Sequence, residues 1–198
     1  MNCHYTYESK NKDDRRADYW SCIVIHHITL PDIAKTEDVV LMGREEELEY
    51  FKKICDFLCS TTSKVSAHYL IGRYGQIAEL VDPKKYRAWH AGKSAWWDSK
   101  DRLWKYHVNN FGIGIELIGD GNKFEYTKEQ YYALELLCRN LILEFKIPHI
   151  NCLVGHETIS NGYIRPDPKP DPGIFFRWNR IYFELYKNLG NEYGLVNV

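Results

Sequence analysis

Apolar and polar positions follow one another along this chain in two rhythms, and the rhythms mark its elements. The run Cys22-Ile23-Val24-Ile25, ahead of His26 and His27, is apolar and β-branched without a break, the pattern of a strand covered on both faces. Pro31, which lacks a donor, ends it. From Arg44 to Cys59 the period lengthens: Leu48, Phe51, Ile54, Cys55 and Leu58 recur at helical spacing opposite Glu45, Glu46, Glu49, Lys52 and Lys53, which predicts an amphipathic helix. Val65 to Ile71 and Ile77 to Val81 flank Arg73-Tyr74-Gly75-Gln76 as a hairpin. Gly112 to Ile118 reads as another strand, and its two glycines mark the close approach of a neighbouring chain or ligand.

Thr127-Lys128-Glu129-Gln130 is a capping box, in which the Thr127 hydroxyl and the Gln130 amide each satisfy an orphan backbone N–H. The helix it opens carries Leu134, Leu137, Cys138, Leu141, Ile142 and Phe145 on one face and is ended by Pro148. Cys152 to His156 reads as a short strand, and Ile174 to Leu189 has the spacing of a closing helix. Strands and helices alternate irregularly. The expectation is therefore an α/β single domain, a mixed central β-sheet flanked by α-helices, and not a doubly wound parallel sheet. Its layout is a polar N-terminal extension over 1–20, the domain proper over 21–190 and a C-terminal tail over 191–198.

Composition narrows the chemistry. A chain of 198 residues buries enough surface to fold without staples, so a metal, if bound, is functional. Lys+Arg 26 against Asp+Glu 27 leaves a net charge of -1 and no excess of cations for phosphate backbones, so nucleic acid is not an expected partner. The six cysteines form no C-x-x-C pair and are expected as free thiols. No window approaches ~18 uncharged apolar residues, so no membrane span is expected. Met1 to Trp20 carries Lys10, Lys12, Asp13, Asp14, Arg15 and Arg16 where a signal peptide has an apolar stretch, which favours a cytoplasmic location. A periplasmic or secreted location is the alternative, with a leader missing from this sequence.

Three side chains suited to catalysis fall at strand ends: His26, Glu116 and His156. The proline-stiffened run from Arg165 to Gly173 adds Lys169 and Asp171 with little freedom to lose. Two imidazoles and one carboxylate with a fourth position open is an accepted ligand set for catalytic zinc. On spacing alone, ordinary structural histidines are the favoured reading over metal ligands.

Six stretches in fixed order change that balance: Ile23-Val24-Ile25-His26-His27, Val65 to Ile71, Arg87-Ala88-Trp89-His90-Ala91-Gly92, Ile113 to Leu117, Val154-Gly155-His156 and Lys169 to Gly173. In these the chain, from about Cys22 to Trp178, resembles the zinc-dependent N-acetylmuramoyl-L-alanine amidases of the AmpD type, a group shared with phage lysozyme-type amidases and peptidoglycan recognition proteins. The resemblance implies a catalytic domain over 21–190 that cuts the amide between N-acetylmuramic acid and the L-alanine of the stem peptide. It also implies one Zn²⁺ on His26, His156 and Asp171, Glu116 as general base, and Lys169 facing the developing oxyanion. Strand alternation turns His27 away from His26, toward a supporting or substrate contact. His68 and His90 are expected to line the cleft. Trp89, Trp96 and Trp97 offer rings for sugar stacking, and Lys64, Arg102 and His107 are candidates for a carboxylate of the stem peptide.

The implied partners are peptidoglycan fragments, or peptidoglycan itself, and the expected state is a monomer. Recycling of 1,6-anhydro-muropeptides is the leading role. A wall amidase acting on intact peptidoglycan and a recognition module that binds without cutting are the alternatives. Two segments, 93–109 and 157–168, are longer than the family's usual loops and flank the cleft.

Overall fold

A computed structural model of the chain describes residues 3–98, 101–147, 152–160, 164 and 166–190. The uninterrupted apolar run becomes β3 (Cys22–Ile28), and the strand with two glycines becomes β9 (Gly112–Ile118). These two are the centre of a six-stranded sheet with β1 (Tyr5–Thr6), β4 (Tyr69–Ile71), β5 (Ile77–Glu79) and β10 (Leu153–Gly155), in the order β1-β5-β4-β9-β3-β10. β4 and β5 pair antiparallel around the predicted turn, while β1/β5, β4/β9, β9/β3 and β3/β10 are parallel. The mixed sheet is thus as expected.

Alternation along the strands divides the core in two. Ile23, Ile25, Ile113, Ile115, Tyr69 and Ile71 pack with Leu134, Leu137, Cys138 and Leu141 of the helix α3 (Lys128–Phe145) and with Ile181 and Leu185 of α5 (Trp178–Gly190). Leu70, Ala78 and Ile118 pack instead with Phe51, Ile54, Cys55 and Leu58 of α2 (Arg44–Cys59), behind the short α1 (Thr36–Val39). The capping box forms as read, with the Gln130 N–H donating to Thr127 Oγ1 at 3.0 Å and the Thr127 N–H to Gln130 Oε1 at 3.1 Å. None of the six cysteines is in a disulfide.

Several expectations shift. The polar N-terminal segment supplies β1 at the sheet edge and β2 (Lys12–Asp14), which pairs antiparallel with β6 (Tyr86–Ala88). The long segment 93–109 contains a second hairpin, β7 (Ala95–Asp98) with β8 (Leu103–Tyr106), followed by a 3₁₀ turn over Val108–Asn110. The closing helix starts at Trp178 and not at Ile174, because the Phe175 N–H is taken by the Gly121 carbonyl and the Phe176 N–H by the Gly173 carbonyl. Pro148, part of the 157–168 loop and the tail 191–198 lie outside the described residues. Among those described, no helix is long and apolar enough to cross a membrane.

Candidate metal centre and cleft

Parallel register places His26 of β3 directly opposite Glu116 of β9. Residues opposite one another share a face of the sheet, so imidazole and carboxylate stand side by side. On the other flank of β3, Gly155 lies opposite Ile25, and His156 follows as the first residue of α4 (His156–Ile159), level with His26. Asp171 is brought in by a clamped segment. Its carbonyl accepts the Glu157 N–H at 3.1 Å, and the Tyr126 hydroxyl donates to the Pro172 carbonyl at 2.6 Å.

Three donor atoms converge there. His26 Nδ1 is 3.0 Å from His156 Nδ1 and 2.9 Å from Asp171 Oδ2, and His156 Nδ1 is 3.2 Å from Asp171 Oδ2. The residues are only 1%, 2% and 4% exposed. Protons cannot satisfy such a triangle: if both N–H groups donate to the carboxylate, the two nitrogens face each other with no acceptor between them, and a single N–H leaves one side without a proton. A cation satisfies all three at once, and the spacing is close to the roughly 3.3 Å edge of a tetrahedron with ~2.0 Å zinc–ligand bonds. Among the described residues this is the one group of His, Cys, Asp or Glu side chains placed to hold a metal ion.

Burial pushes His26 down to about 4, against the opposing hydrogen bond of Asp171. For Asp171 burial acts upward, but its bonds to His156 and His26 outweigh it and hold the carboxyl well below the usual carboxylate range. Both groups are in the protonation state a metal requires at neutral pH. Glu116 is the opposite case. Burial pushes it well above the usual range, Asp171 adds to the rise, and Lys169 opposes it. Its Oε2 is shielded from solvent and has no hydrogen-bond partner among the described residues.

A cleft of about 370 Å³ opens beside Glu116, and His27, His90, Trp89 and Lys169 line it. Lys169 is exposed and its N–H donates to Ser160 Oγ at 3.3 Å. His27 also accepts the Gly121 N–H on Nδ1 at 3.1 Å, so it braces the turn after β9. The Trp89 indole is tethered, donating from Nε1 to Asp13 Oδ2 of β2 at 2.8 Å. Other expected substrate residues lie elsewhere. His68 is fully buried, with Nδ1 accepting the Gly114 N–H at 3.0 Å, so its ring is closed off from the cleft. Arg102 lies in the β7–β8 turn, His107 follows β8, and Lys64 is exposed next to Val65; none of the three lines this cleft. Trp96 packs on Phe111, and Trp97 pairs edge-on with Trp104 across the hairpin. The cleft also takes Thr29, Leu30, Phe57, Leu58 and Val65 into its wall. Phe57 and Leu58 belong to α2, where nothing in the sequence separates a cleft residue from a core one.

The chain is similar to known proteins over most of its length. An AmpD of Citrobacter freundii is 41% identical over 167 residues, which cover 81% of this chain and 78% of the relative. An AmpD of Salmonella typhimurium is 35% identical over 166 residues with the same coverage. A solved crystal structure of a selenomethionine AmpD derivative superposes with a TM-score of 0.68 at 30% identity, over 93% of this chain and 96% of the other. Residues 14–174, which include His26, Glu116, His156 and Asp171, match the family model described as N-acetylmuramoyl-L-alanine amidase. In sequence, fold and the span of its metal-competent centre, the chain belongs to the N-acetylmuramoyl-L-alanine amidase family.

Proposed function

We propose that this protein hydrolyses the amide between N-acetylmuramic acid, in its 1,6-anhydro form, and the L-alanine of peptidoglycan fragments, using one zinc ion held by His26, His156 and Asp171. The observation that carries the reading is the convergence of those three donors beside a carboxylate oxygen of Glu116 that has no partner among the described residues. The relatives compared above bear the name 1,6-anhydro-N-acetylmuramyl-L-alanine amidase, which supports the anhydro substrate and a role in recycling. With that role goes the cytoplasmic location expected of a recycling enzyme, which cell fractionation tests.

Zinc on these ligands supplies Lewis acidity toward the scissile carbonyl and acidifies water at neutral pH. Glu116 takes the proton of the attacking water and hands it to the leaving amide nitrogen, so the C–N bond breaks to a muramic carboxylate and a free L-alanyl amine. Its raised affinity for protons suits this double duty. Lys169 provides a fixed positive charge for the oxyanion as it develops. Trp89 and His27 form the walls that orient the fragment.

The test is incubation with anhydro-muramyl-tripeptide and with intact peptidoglycan, with and without a chelator, reading the released peptide by mass. Chelator-sensitive release of a peptide that starts at L-alanine is expected, preferentially from the anhydro fragment. Glu116→Gln is expected to lower turnover by on the order of 10²–10⁴ with zinc still bound. Release unaffected by the chelator overturns the metal reading, and near wild-type turnover of Glu116→Gln removes that residue from the mechanism.

A further inference from the structure

We propose that His90 fixes the tautomer of His26 and thereby decides which of its ring nitrogens is offered to the metal. The proposal rests on the metal reading of the site. His26 faces His156 and Asp171 with Nδ1, and its other nitrogen, Nε2, lies 2.9 Å from His90 Nδ1. His90 Nε2 in turn lies 3.0 Å from the carbonyl oxygen of Gly112.

The direction of this chain follows from its last member, since a carbonyl oxygen only accepts. His90 must carry its proton on Nε2, and a neutral imidazole then has its lone pair on Nδ1. That lone pair calls for a proton on His26 Nε2, which leaves the His26 lone pair on Nδ1, where the three donors meet. One backbone carbonyl thus sets the chemistry of a ligand two imidazoles away.

His90 is held so that it cannot turn out of this role. Its own N–H and that of Ala91 donate to Asn109 Oδ1 at 3.1 and 2.7 Å. Its ring lies against Gly114, where a Cβ would overlap the imidazole. It stands edge-on to the rings of His26 and His68, at 5.1 and 5.7 Å between centroids. β9 therefore serves the metal centre twice, through the Glu116 side chain and through two glycines that bed and anchor His90. His156 has no equivalent: its Nε2 is buried and unpartnered among the described residues. The tether belongs to one ligand, which makes its effect separable.

Two measurements test it. In zinc-loaded wild-type protein, ¹⁵N shifts of the His26 ring are expected to show the proton on Nε2 and the metal on Nδ1. In competition with a chromophoric chelator, His90→Leu is expected to bind zinc on the order of 10–100-fold more weakly. His90→Asn, whose Oδ1 stands where Nδ1 was and accepts the same proton, should recover most of that loss. Equal zinc affinity for wild type and His90→Leu overturns the proposal, and so does a His26 proton on Nδ1. The NMR measurement needs no variant and stands even if His90→Leu does not fold. Wild-type protein that takes up no zinc overturns the metal reading and this proposal with it.

Discussion

Behind the metal centre His26, His90 and His68 stand in a row, and the last of them has no path to the cleft. Burial pushes His68 down to about 3, so in the folded protein it stays neutral through the whole range in which a free histidine titrates. In the unfolded chain it protonates near 6.5. Unfolding therefore takes up a proton between those values, so the stabilisation is complete above about pH 6.5 and is lost as pH falls toward 3, at up to about 1.4 kcal/mol per pH unit. In urea unfolding of metal-free protein, His68→Gln is expected to show a flatter fall in stability between pH 7 and 5 than wild type. Parallel curves would show that His68 does not carry this dependence. The sequence placed His68 in the cleft because it sits in a motif next to a strand, and a motif says nothing about which way a side chain turns. His26, Glu116 and His156 were legible for the opposite reason: each lies in or adjoins a strand marked by an apolar run, and parallel pairing then brings the three side by side.

Between elements, the contact that positions Asp171 is backbone against backbone. The turn after β9 meets the 171–173 segment so closely that a Cβ on Gly121 would overlap the Pro172 carbonyl oxygen, and Gly173, at φ +95°, lies on Gly121 in return. Neither side has a flexible side chain to move away. Gly121→Ala is expected to cost about 1–3 kcal/mol of stability, as overpacking does, and to weaken zinc binding because Asp171 shifts with Pro172. Thermal melts together with chelator competition read both, and an unchanged zinc affinity would mean that the segment is positioned by its other bonds alone. The closing helix is where the sequence pattern overran: Ile174 and Phe175 continue its apolar spacing, yet the Phe175 N–H is taken by the Gly121 carbonyl and the Phe176 N–H by that of Gly173. β1, β2, β6, β7 and β8 went unread because strands of two to four residues hold too few positions for alternation to show and, unlike the equally short β4, β5 and β10, lie in no longer apolar run. α2 and β9, long enough for a full period to repeat, match the expected bounds.

Taken as a whole, the molecule carries the proposed zinc ligands on three elements that are otherwise joined only by packing and hydrogen bonds: β3, the start of α4 and the segment before α5. An ion that binds this arrangement and not the unfolded chain stabilises it by mass action, about 2.7 kcal/mol at a hundredfold excess over Kd. For a chain of this size that corresponds to roughly 5–10 °C in Tm. Melts with zinc against melts with a chelator are expected to differ by that amount, and coincident curves would mean that no ion links the three elements.

The order of strands has a further consequence, for synthesis on the ribosome. β3, the first long strand to emerge, is bordered by β9 on one side and β10 on the other. Its two neighbours appear about 85 and 125 residues later, so at roughly 5–20 residues per second the apolar ribbon Ile23-Val24-Ile25 waits on the order of 4–17 s for the first and 6–25 s for the second. Throughout that interval the nascent chain presents an open, sticky edge that the finished protein never shows. The segment at the heart of the enzyme is for those seconds its most aggregation-prone part, and the natural place for a chaperone to hold it.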